Sequence, residues 1–383
     1  MIRQNDFNGA KVIVRVDFNV PIQNGIVQDC SRIIDALPTI KFLQHAGAKI
    51  VLISHLGKTM PRNQAQSLKN VVEDVEREYG LGVVFIDDCL HENALSVIDN
   101  LPTNHVALME NLRFYPEEED CDPLFAKRLA NLADFYINEA FSVSHRKHAS
   151  IFAVPQFLPH APGLAFQREV RTINNFFETS LSPKICIVGG IKLSTKIKLL
   201  KNLSQKTNKL AICGKISEVF SAECMVREYE EYQDAVSEIT ETAQQYSCEV
   251  IAPVDWVEDS VGNRRDIGYR SVELLKQHLR ECKIVLWNGP LGMFETPPFD
   301  FGTASIANEI AWLTRSGQII SVVGGGDTIF AMNRLGLTKD FSHASTAGGA
   351  FLTCLEGTEL PGVVALKDDY VISQRNSGCI DLS

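Results

Sequence analysis

Short runs of apolar, mostly β-branched residues alternate along the chain with longer stretches of helical periodicity. Each run is apolar throughout rather than at every second residue, which is typical of strands buried on both faces of a parallel sheet. Regular alternation of such strands with helices predicts an α/β fold with right-handed crossovers. The predicted strands are 11–20, 48–55, 83–87, 105–110, 134–138, 184–189, 209–214, 249–254, 283–288 and 319–324, and 31–45 and 237–246 are representative predicted helices.

The chain length sets the number of domains. With 383 residues, and about 150 residues per domain, two or three domains are expected. A single sheet of ten or more strands is uncommon, so we expect two α/β domains, each with a doubly wound, Rossmann-like parallel sheet. Residues 165–180 have apolar side chains at helical spacing, and this helix either joins two lobes as a stiff hinge or packs on one lobe. The expected domains are therefore 1–164 and 181–366, with a hinge helix at 165–180.

Charge and cysteine spacing exclude several functional classes. The chain has 37 Lys and Arg against 47 Asp and Glu, and its net charge of −10 argues against nucleic-acid binding. No apolar run approaches the roughly 18 residues that span a bilayer, and the N-terminal residues lack the apolar segment of a signal peptide. None of the ten cysteines forms a CxxC pair, so we expect reduced thiols in a cytoplasmic protein with no membrane partner.

In the first half of the chain, cationic and imidazole side chains follow the predicted strands. His55, Lys58, Arg113, Arg146 and His148 lie at or just beyond strand ends, in SHLGK, ENLRF and NEAFSVSHRKH. Parallel strands bring their carboxyl ends to one edge of a sheet, where ligands bind. Because guanidinium groups match phosphate and carboxylate oxygens, the cluster predicts a site for a small polyanion. Each of these residues alone could equally be a solvated surface group.

Further polar residues of the first half suit the same site. Asp17 and Asn19 leave the first strand in RVDFNVP, and Arg32 lies near the start of a predicted helix. Asp17 and Asn19 are either turn formers or hydrogen-bond acceptors for substrate hydroxyl groups.

In the second half, the loops after the strands are rich in glycine. They are VGGIKLSTK at 188–196, WNGPLGMFE at 287–295, VGGGDTIF at 323–330 and STAGGA at 345–350. Glycine lets backbone N–H groups approach phosphate, and a helix N-terminus adds a positive dipole. There is no Walker A motif and no GxGxxG fingerprint, and GGG alone can mark a tight turn. Several such loops together predict a phosphate site, with Asp327 holding a divalent cation.

Lys192 and Lys196 lie in one of these loops, four residues apart. If the segment is helical, the two side chains share a face and repel each other unless an anion lies between them. The alternative is that both extend into water.

The motifs RVDFNVP, SHLGK, ENLRF, HRKH, GGIKLSTK, WNGPLGMFE and GGGDT resemble those of phosphoglycerate kinases, in the same order and over nearly the whole chain. The resemblance implies two α/β lobes that close on a hinge, with the C-terminal tail at 367–383 packed on the first lobe. It also implies reversible phosphoryl transfer between 1,3-bisphosphoglycerate and ADP, giving 3-phosphoglycerate and ATP in glycolysis. Mg²⁺ and a monomeric state belong to the same expectation.

The resemblance further implies roles for individual residues. Phosphoglycerate would be bound by Asp17, Asn19, Arg32, His55, Lys58, Arg113 and Arg146. The phosphoryl group in transfer would be stabilised by Arg32, Lys192 and Lys196. The nucleotide would contact Gly189, Lys196, Gly214, Asn288, Pro290, Glu295, Gly325, Gly326, Asp327 and Thr328, and Asp327 would hold Mg²⁺.

Several positions depart from the pattern of the family. Lys58 stands where an Arg contacts the substrate phosphate, which should weaken binding rather than abolish turnover. Lys215 stands where a glycine flanks the adenine, and a long side chain there could narrow the base pocket. Other departures are Glu139, Ser142, Thr195, Cys213, Tyr269 and Ala347. We expect an active enzyme with altered nucleotide affinity; the alternatives are a non-enzymatic paralogue and a kinase for another small carboxylate or sugar phosphate.

Overall fold

The computed structural model describes residues 4–58, 63–220 and 231–366. The chain forms two compact units, unit 1 with residues 1–170 and 359–383, and unit 2 with residues 171–358. Each unit is built on a parallel six-stranded sheet flanked by helices, which confirms the predicted α/β fold class. The predicted tail at 367–383 lies outside the described residues. No helix in the described part of the chain is long and apolar enough to cross a membrane.

The strands of unit 1 are β1 (Lys11–Arg15), β2 (Ile22–Gln23), β3 (Ile26–Val27), β4 (Lys49–Ile53), β5 (Gly82–Ile86), β6 (His105–Met109), β7 (Phe135–Asn138) and β8 (His160–Pro162). β2 and β3 form a small hairpin, and the others form the sheet in the order β5-β6-β4-β1-β7-β8. Val12, Ile13 and Val14 of the central strand β1 are fully buried. Consecutive strand residues point to opposite faces, so both faces of this sheet are covered, as the apolar runs predict.

The helices of unit 1 are α1 (Ser31–Asp35), α2 (Leu37–His45), α3 (Val72–Tyr79), α4 (Ala94–Asp99), α5 (Pro116–Glu119), α6 (Pro123–Ala130) and the first part of α7 (Leu164–Glu178), and α14 (Pro361–Val364) returns to it late in the chain. The prediction of one helix over 31–45 is wrong, because the segment breaks at Ala36. Pro38 has no N–H to continue the hydrogen bonding of α1 and is tolerated only in the first turn of a new helix.

The strands of unit 2 are β9 (Lys184–Val188), β10 (Lys209–Ile212), β11 (Glu249–Ile251), β12 (Trp256–Glu258), β13 (Arg264–Ile267), β14 (Ile284–Asn288), β15 (Ile320–Gly324) and β16 (His343–Ser345). β12 and β13 form an antiparallel pair outside the main sheet, whose order is β11-β10-β9-β14-β15-β16. This is the strand order of dinucleotide-binding folds, with the chain reversing direction across the sheet between β9 and β14.

The helices of unit 2 are the second part of α7, α8 (Ile197–Lys206), α9 (Gln233–Gln245), α10 (Tyr269–Glu281), α11 (Phe301–Arg315), α12 (Gly326–Leu335) and α13 (Gly349–Leu355). Trp287 of β14 is fully buried in the core between the sheet and α10 and α11, together with Leu275 and Ile310. α9 begins four residues before the predicted helix at 237 and ends at Gln245.

The observed strands differ from the predicted ones at their ends and at the sheet edges. β1 ends at Arg15 rather than at residue 20, because the chain leaves the sheet there to form the loop of the candidate site. The edge strands β8 and β16 were not predicted, since three-residue strands are too short to carry a periodic pattern. The described cysteines are free thiols, and most of them are buried; Cys224 and Cys379 lie outside the described residues.

Candidate active site

The site of unit 1 lies where the strand order changes direction. β1 pairs with β4 on one side and with β7 on the other, so later strands are added to the sheet on both sides of β1. The carboxyl ends of strands at such a switch point form a crevice that binds ligands in α/β folds. Arg15 at the end of β1, His55 just after β4 and Glu139 just after β7 mark this edge of the sheet.

Arg15 determines the proton position on His55. Its guanidinium Nη2 lies 3.1 Å from Nδ1 of His55, and both side chains are almost completely buried. Burial lowers the pKa of His55 well below its usual value, and Arg15 and Arg113 lower it further, so the ring is neutral at pH 7. A guanidinium has donors only, so Nδ1 must accept and Nε2 carries the proton. His55 is therefore a fixed N–H donor.

Arg15 is itself held by a buried chain of hydrogen bonds that ends at Glu118. Its Nε donates to Oγ of Ser150 at 2.8 Å, and this hydroxyl donates to Oε1 of Glu118 at 2.6 Å. The backbone N–H of Ser150 donates to the other carboxylate oxygen at 2.8 Å. Burial raises the pKa of Glu118, and the positive charge of Arg15 offsets part of this increase. None of Arg15, Ser150 and Glu118 is marked as a site residue by its local sequence.

Arg32 is oriented by the residues that leave β1. Its Nη1 donates to Oδ2 of Asp17 and to the carbonyl oxygen of Asn19, both at 2.9 Å. The side-chain oxygen of Asn19 accepts the N–H of Gly57 at 2.9 Å, and Ser142 also donates to Asp17. Within the protein, Asp17 and Asn19 thus accept hydrogen bonds that shape this turn and hold Arg32. A third of the Arg32 side chain is exposed, and its remaining donors are in position to meet an anion.

Arg113 and Arg146 add positive potential to the same edge, and the ring of His148 beside them is neutral at pH 7. Arg113 is buried and donates to the carbonyl oxygen of Gly57, whereas Arg146 is exposed. Burial lowers the pKa of His148 to about 4, and Arg113, Arg15 and Arg146 add to the effect. Positive groups so close together repel one another, which favours binding of an anion among them. Lys58 is exposed at the rim of the group.

Glu139, one of the departures from the family pattern, is hydrogen-bonded to Thr39 and to the start of α7. Its Oε1 accepts the hydroxyl of Thr39 at 2.7 Å and the N–H of Ala165 at 3.0 Å, and its Oε2 accepts the N–H of Phe166 at 3.3 Å. Burial raises the pKa of Glu139 to about 7, although these hydrogen bonds lower it. Glu139 therefore caps the N-terminus of α7.

In unit 2, the glycine-containing turns after β9, β10 and β14 bring backbone close to backbone at the switch point between β9 and β14. A Cβ atom on Gly189 would lie 2.0 Å from the carbonyl oxygen of Pro290, and one on Gly289 would lie 2.3 Å from that of Gly189. A Cβ on Gly214 would lie 2.8 Å from the backbone of Gly190, and Gly289 has a φ of +91°. No larger residue fits at these positions, so the crevice is lined by bare peptide groups.

Lys196 lies at this crevice, at the start of α8. Its Nζ donates to Oδ1 of Asn288 at 2.5 Å, and the Asn288 amide in turn donates to the carbonyl oxygen of Gly324 at 2.7 Å. Burial lowers the pKa of Lys196, while Glu356 and Asp327 act in the opposite direction. Lys192 is exposed and has extended backbone, separated from α8 by a single turn of 3-10 helix. The condition that both lysines lie on one α-helix is therefore not met.

The GGGDT segment forms the turn from β15 into α12. Gly325 has a φ of +103°, and a Cβ there would lie 2.5 Å from the Asn288 amide nitrogen. Thr328 is buried and accepts the N–H of Gly289 at 2.8 Å, which ties the two loops together. Gly326 begins α12, so free backbone N–H groups and the positive end of the helix dipole lie at its first turn.

Asp327 is exposed in the first turn of α12. Within the described residues, no group of three or more His, Cys, Asp or Glu side chains could hold a metal ion. Mg²⁺ in nucleotide sites takes one or two protein carboxylates and completes its shell with substrate phosphates and water. A single exposed carboxylate in the first turn of a helix fits that pattern.

Glu295 and Lys215 are both exposed, in the segments that follow β14 and β10. The carbonyl oxygen of Glu295 accepts from Nη1 of Arg334 on α12 at 3.1 Å, so the end of the WNGPLGMFE loop is joined to the helix that follows GGGDT. Lys215 follows Gly214 directly, where its side chain extends into solvent. The predicted nucleotide residues thus lie at the ends of strands, in the loops that follow them, or at the start of α8 and α12.

Comparison with known proteins points to one family. A family model described as phosphoglycerate kinase matches residues 2–358. A phosphoglycerate kinase of Wolbachia pipientis subsp. Culex pipiens (strain wPip) is 41% identical over 390 residues, which cover 96% of this chain and 98% of the relative. One from Dictyoglomus turgidum is 39% identical over 394 residues, with 96% and 98% covered.

Solved structures give the same result. The phosphoglycerate kinase of Coxiella burnetii matches with a TM-score of 0.84 and 29% identity, covering 96% of this chain and 98% of that one. The enzyme of Pyrococcus horikoshii OT3 matches with a TM-score of 0.79 and 27% identity, covering 97% and 100%.

Proposed function

This chain belongs to the phosphoglycerate kinase family and has its phosphotransferase activity, and we propose that the two units divide the reaction between them. Unit 1 binds 3-phosphoglycerate or 1,3-bisphosphoglycerate, and unit 2 binds ADP or ATP. The observation that carries this division is the contrast between the two switch points. In unit 1 the crevice is lined by cationic and imidazole side chains, and in unit 2 by peptide groups and the start of a helix.

The phosphate of phosphoglycerate is assigned to the cationic group of unit 1. Arg113 and Arg146 supply paired donors, Lys58 supplies a point charge, and His55 supplies a directed N–H. Asp17 and Asn19 accept from the substrate hydroxyl. Arg32, held through Nη1, directs its other donors at the carboxylate that gains or loses the phosphoryl group.

The phosphates of the nucleotide are assigned to the first turn of α12. Gly325, Gly326 and Thr328 form this turn, and Lys196 lies beside it through Asn288. Gly189, Gly214 and Pro290 form the floor of the crevice, and Glu295 lies where it can meet the ribose. Bound through Asp327 and the nucleotide oxygens, Mg²⁺ would neutralise phosphate charge.

Phosphoryl transfer requires little covalent chemistry from the protein, because in-line positioning and neutralisation of the equatorial oxygens lower the barrier. We assign the neutralisation to Arg32, Lys192 and Lys196. The exposed Lys192 is free to reorient toward the phosphoryl group, whereas Lys196 is held in place by Asn288. We further propose that α7 is the hinge on which the units close, that closure excludes water from the acyl phosphate, and that the protein is a cytoplasmic monomer.

The division of labour is tested by separate binding and turnover measurements. Calorimetry should show binding of 3-phosphoglycerate and of ADP to the wild-type protein, and a coupled assay should show ATP-dependent phosphorylation of 3-phosphoglycerate. Arg32→Ala should lower kcat by about 100-fold or more, as expected for loss of a cation at a phosphoryl-transfer centre. It should leave ADP affinity unchanged, whereas Lys196→Ala should lower kcat with 3-phosphoglycerate affinity unchanged.

A protein that binds neither substrate at millimolar concentration, or that folds but shows no turnover, would refute the assignment. Nothing in the fold or in the relatives favours the non-enzymatic alternative.

A further inference from the structure

Asp266, near the end of β13, is a buried carboxylate that forms no ion pair with a cationic side chain of the described residues. Only 2% of the residue is exposed. Its Oδ1 accepts the N–H of Ile267 at 2.9 Å, and its Oδ2 accepts the N–H of Gly302 in the first turn of α11 at 2.7 Å. The neighbouring Arg265 pairs with Asp259 instead. Each carboxylate oxygen therefore has its own backbone donor, and together they fasten β13 to α11.

β13 and α11 are also the elements that hold the middle of the WNGPLGMFE loop. The N–H of Met293 donates to the carbonyl oxygen of Arg265 at 2.8 Å, and the N–H of Leu291 donates to Oγ1 of Thr303 at 3.0 Å. Gly292 between them packs directly on Asp266, since a Cβ there would lie 2.2 Å from Oδ1. The residues on either side of Gly292 are thus anchored to the two elements that Asp266 joins.

We propose that Asp266 is a positioning residue for nucleotide binding, which fixes the segment 289–295 by joining β13 to the N-terminus of α11 and by packing against Gly292. This inference rests on the proposed nucleotide site of unit 2. Asp266 does not touch the nucleotide in this proposal; it acts through the loop that carries Pro290 and Glu295.

The ionised form of Asp266 is the one that fits this role. Two N–H groups point at two different oxygens, so neither oxygen can carry a proton without losing acceptor strength. An asparagine has one acceptor oxygen, and its NH₂ group would face one of the two N–H donors. Protonation of Asp266 and its substitution by asparagine should therefore both weaken the hydrogen bonds to the N–H groups of Ile267 and Gly302.

The surroundings of Asp266 put its titration near neutral pH. Burial raises its pKa to about 7, the N–H groups of Gly302 and Ile267 lower it, and the carboxylate of Asp300 raises it. The Cys213 thiol at the exit of β10 also faces it. As the pH falls from 8 to 6, the carboxylate becomes protonated, so the loop should loosen and ADP affinity should decrease.

The test compares ADP binding to the wild-type protein and to Asp266→Asn by calorimetry at pH 6 and pH 8, with 3-phosphoglycerate binding measured in parallel. At pH 8, the variant should bind ADP about tenfold more weakly, as expected for loss of one charge-assisted hydrogen bond. The factor by which the ADP dissociation constant increases from pH 8 to pH 6 should be smaller for the variant than for the wild-type protein. Ionisation of ADP itself contributes equally to both proteins. In turnover, KM for ADP should rise while kcat and KM for 3-phosphoglycerate stay within about twofold.

Glu139→Gln is the matched control, because Glu139 is a buried acid of unit 1 that also accepts N–H groups at a helix N-terminus. It should not change ADP affinity at either pH. If Asp266→Asn does not fold, Gly292→Ala replaces it, and its methyl group should likewise weaken ADP binding alone.

The outcomes separate the two proposals. Wild-type protein that binds no ADP contradicts the nucleotide site itself and this inference with it. Wild-type protein that binds ADP, with a variant of equal affinity and equal pH ratio, overturns the positioning role and leaves the nucleotide site intact. Equal weakening of ADP and 3-phosphoglycerate binding would show general destabilisation and would also overturn it.

Discussion

Replacement of the buried acid Glu139 by glutamine should change the stability of unit 1 in opposite directions at low and at high pH. Burial raises the pKa of Glu139 from 4.5 to about 7 in the folded chain. At a pH between about 4.5 and 7, Glu139 is protonated in the folded protein but ionised in the unfolded chain. The stability therefore falls as the pH rises from about 4.5 to 7, and it stays at the lower level above pH 7.

The size of the effect follows from the shift. At about 1.4 kcal/mol for each pH unit, the ionised carboxylate makes the folded state about 3 kcal/mol less stable at pH 8. Glutamine removes this penalty and keeps an oxygen for Thr39 and Ala165, but its NH₂ group faces the N–H of Phe166. The lost hydrogen bond costs about 1 kcal/mol at any pH. Glu139→Gln should thus be about 2 kcal/mol more stable than wild type at pH 8 and about 1 kcal/mol less stable at pH 4, where Glu139 is protonated in both the folded and the unfolded chain.

The assay is urea unfolding followed by far-ultraviolet circular dichroism at pH 4 and pH 8. All three tryptophans, Trp256, Trp287 and Trp312, belong to unit 2, so tryptophan fluorescence provides an internal reference that the substitution should not move. Glu117→Gln, which alters an exposed glutamate of the same unit, controls for the loss of one charge. A stability difference of the same sign and size at both pH values would refute the reasoning.

Three other substitutions give distinct outcomes. Lys58→Arg should lower KM for 3-phosphoglycerate several-fold in the coupled assay, because a guanidinium can make two parallel bonds to a phosphate; an unchanged KM would show that this residue does not reach the substrate. Asn288→Ala should reduce kcat by about tenfold, since Lys196 loses the oxygen that holds it; unaltered kcat would contradict that role. Gly189→Ala should destabilise unit 2 by more than about 2 kcal/mol, because its Cβ would lie 2.0 Å from the carbonyl oxygen of Pro290. Tryptophan fluorescence should show a lower melting temperature, and an unshifted melting curve would contradict the close approach.

The architecture and the strand exits could be predicted from the sequence because both follow from local patterns. Buried parallel strands read as continuous apolar runs, and the residues just after them are the ones that reach a ligand. His55, Arg113, Asn288 and Asp327 were found in this way, and each lies at the carboxyl edge of a sheet in the structure.

The supporting residues could not be predicted because their roles depend on contacts distant in sequence. Arg15 ends a strand and reads as part of it, yet it contacts Ser150, which lies 135 residues further along the chain. Glu118 belongs to the acidic run PEEED, which has the composition of a solvated helix start, although it is completely buried. Asp266 begins the sequence DIGY at 266–269, whose Asp and Gly are typical of a turn. No local pattern distinguishes a buried carboxylate from an exposed one when its partners are backbone N–H groups of another element.

Residues 359–366 belong to unit 1, although all of unit 2 precedes them in the chain. The N–H of Gly362 donates to the carbonyl oxygen of Ser144 at 2.9 Å, and Leu366 packs on the apolar cluster that includes Ala149. These contacts brace the segment that carries Arg146, His148 and Ser150. During synthesis on the ribosome, these contacts can form only after all of unit 2 has been translated, so the candidate site of unit 1 gains this support late.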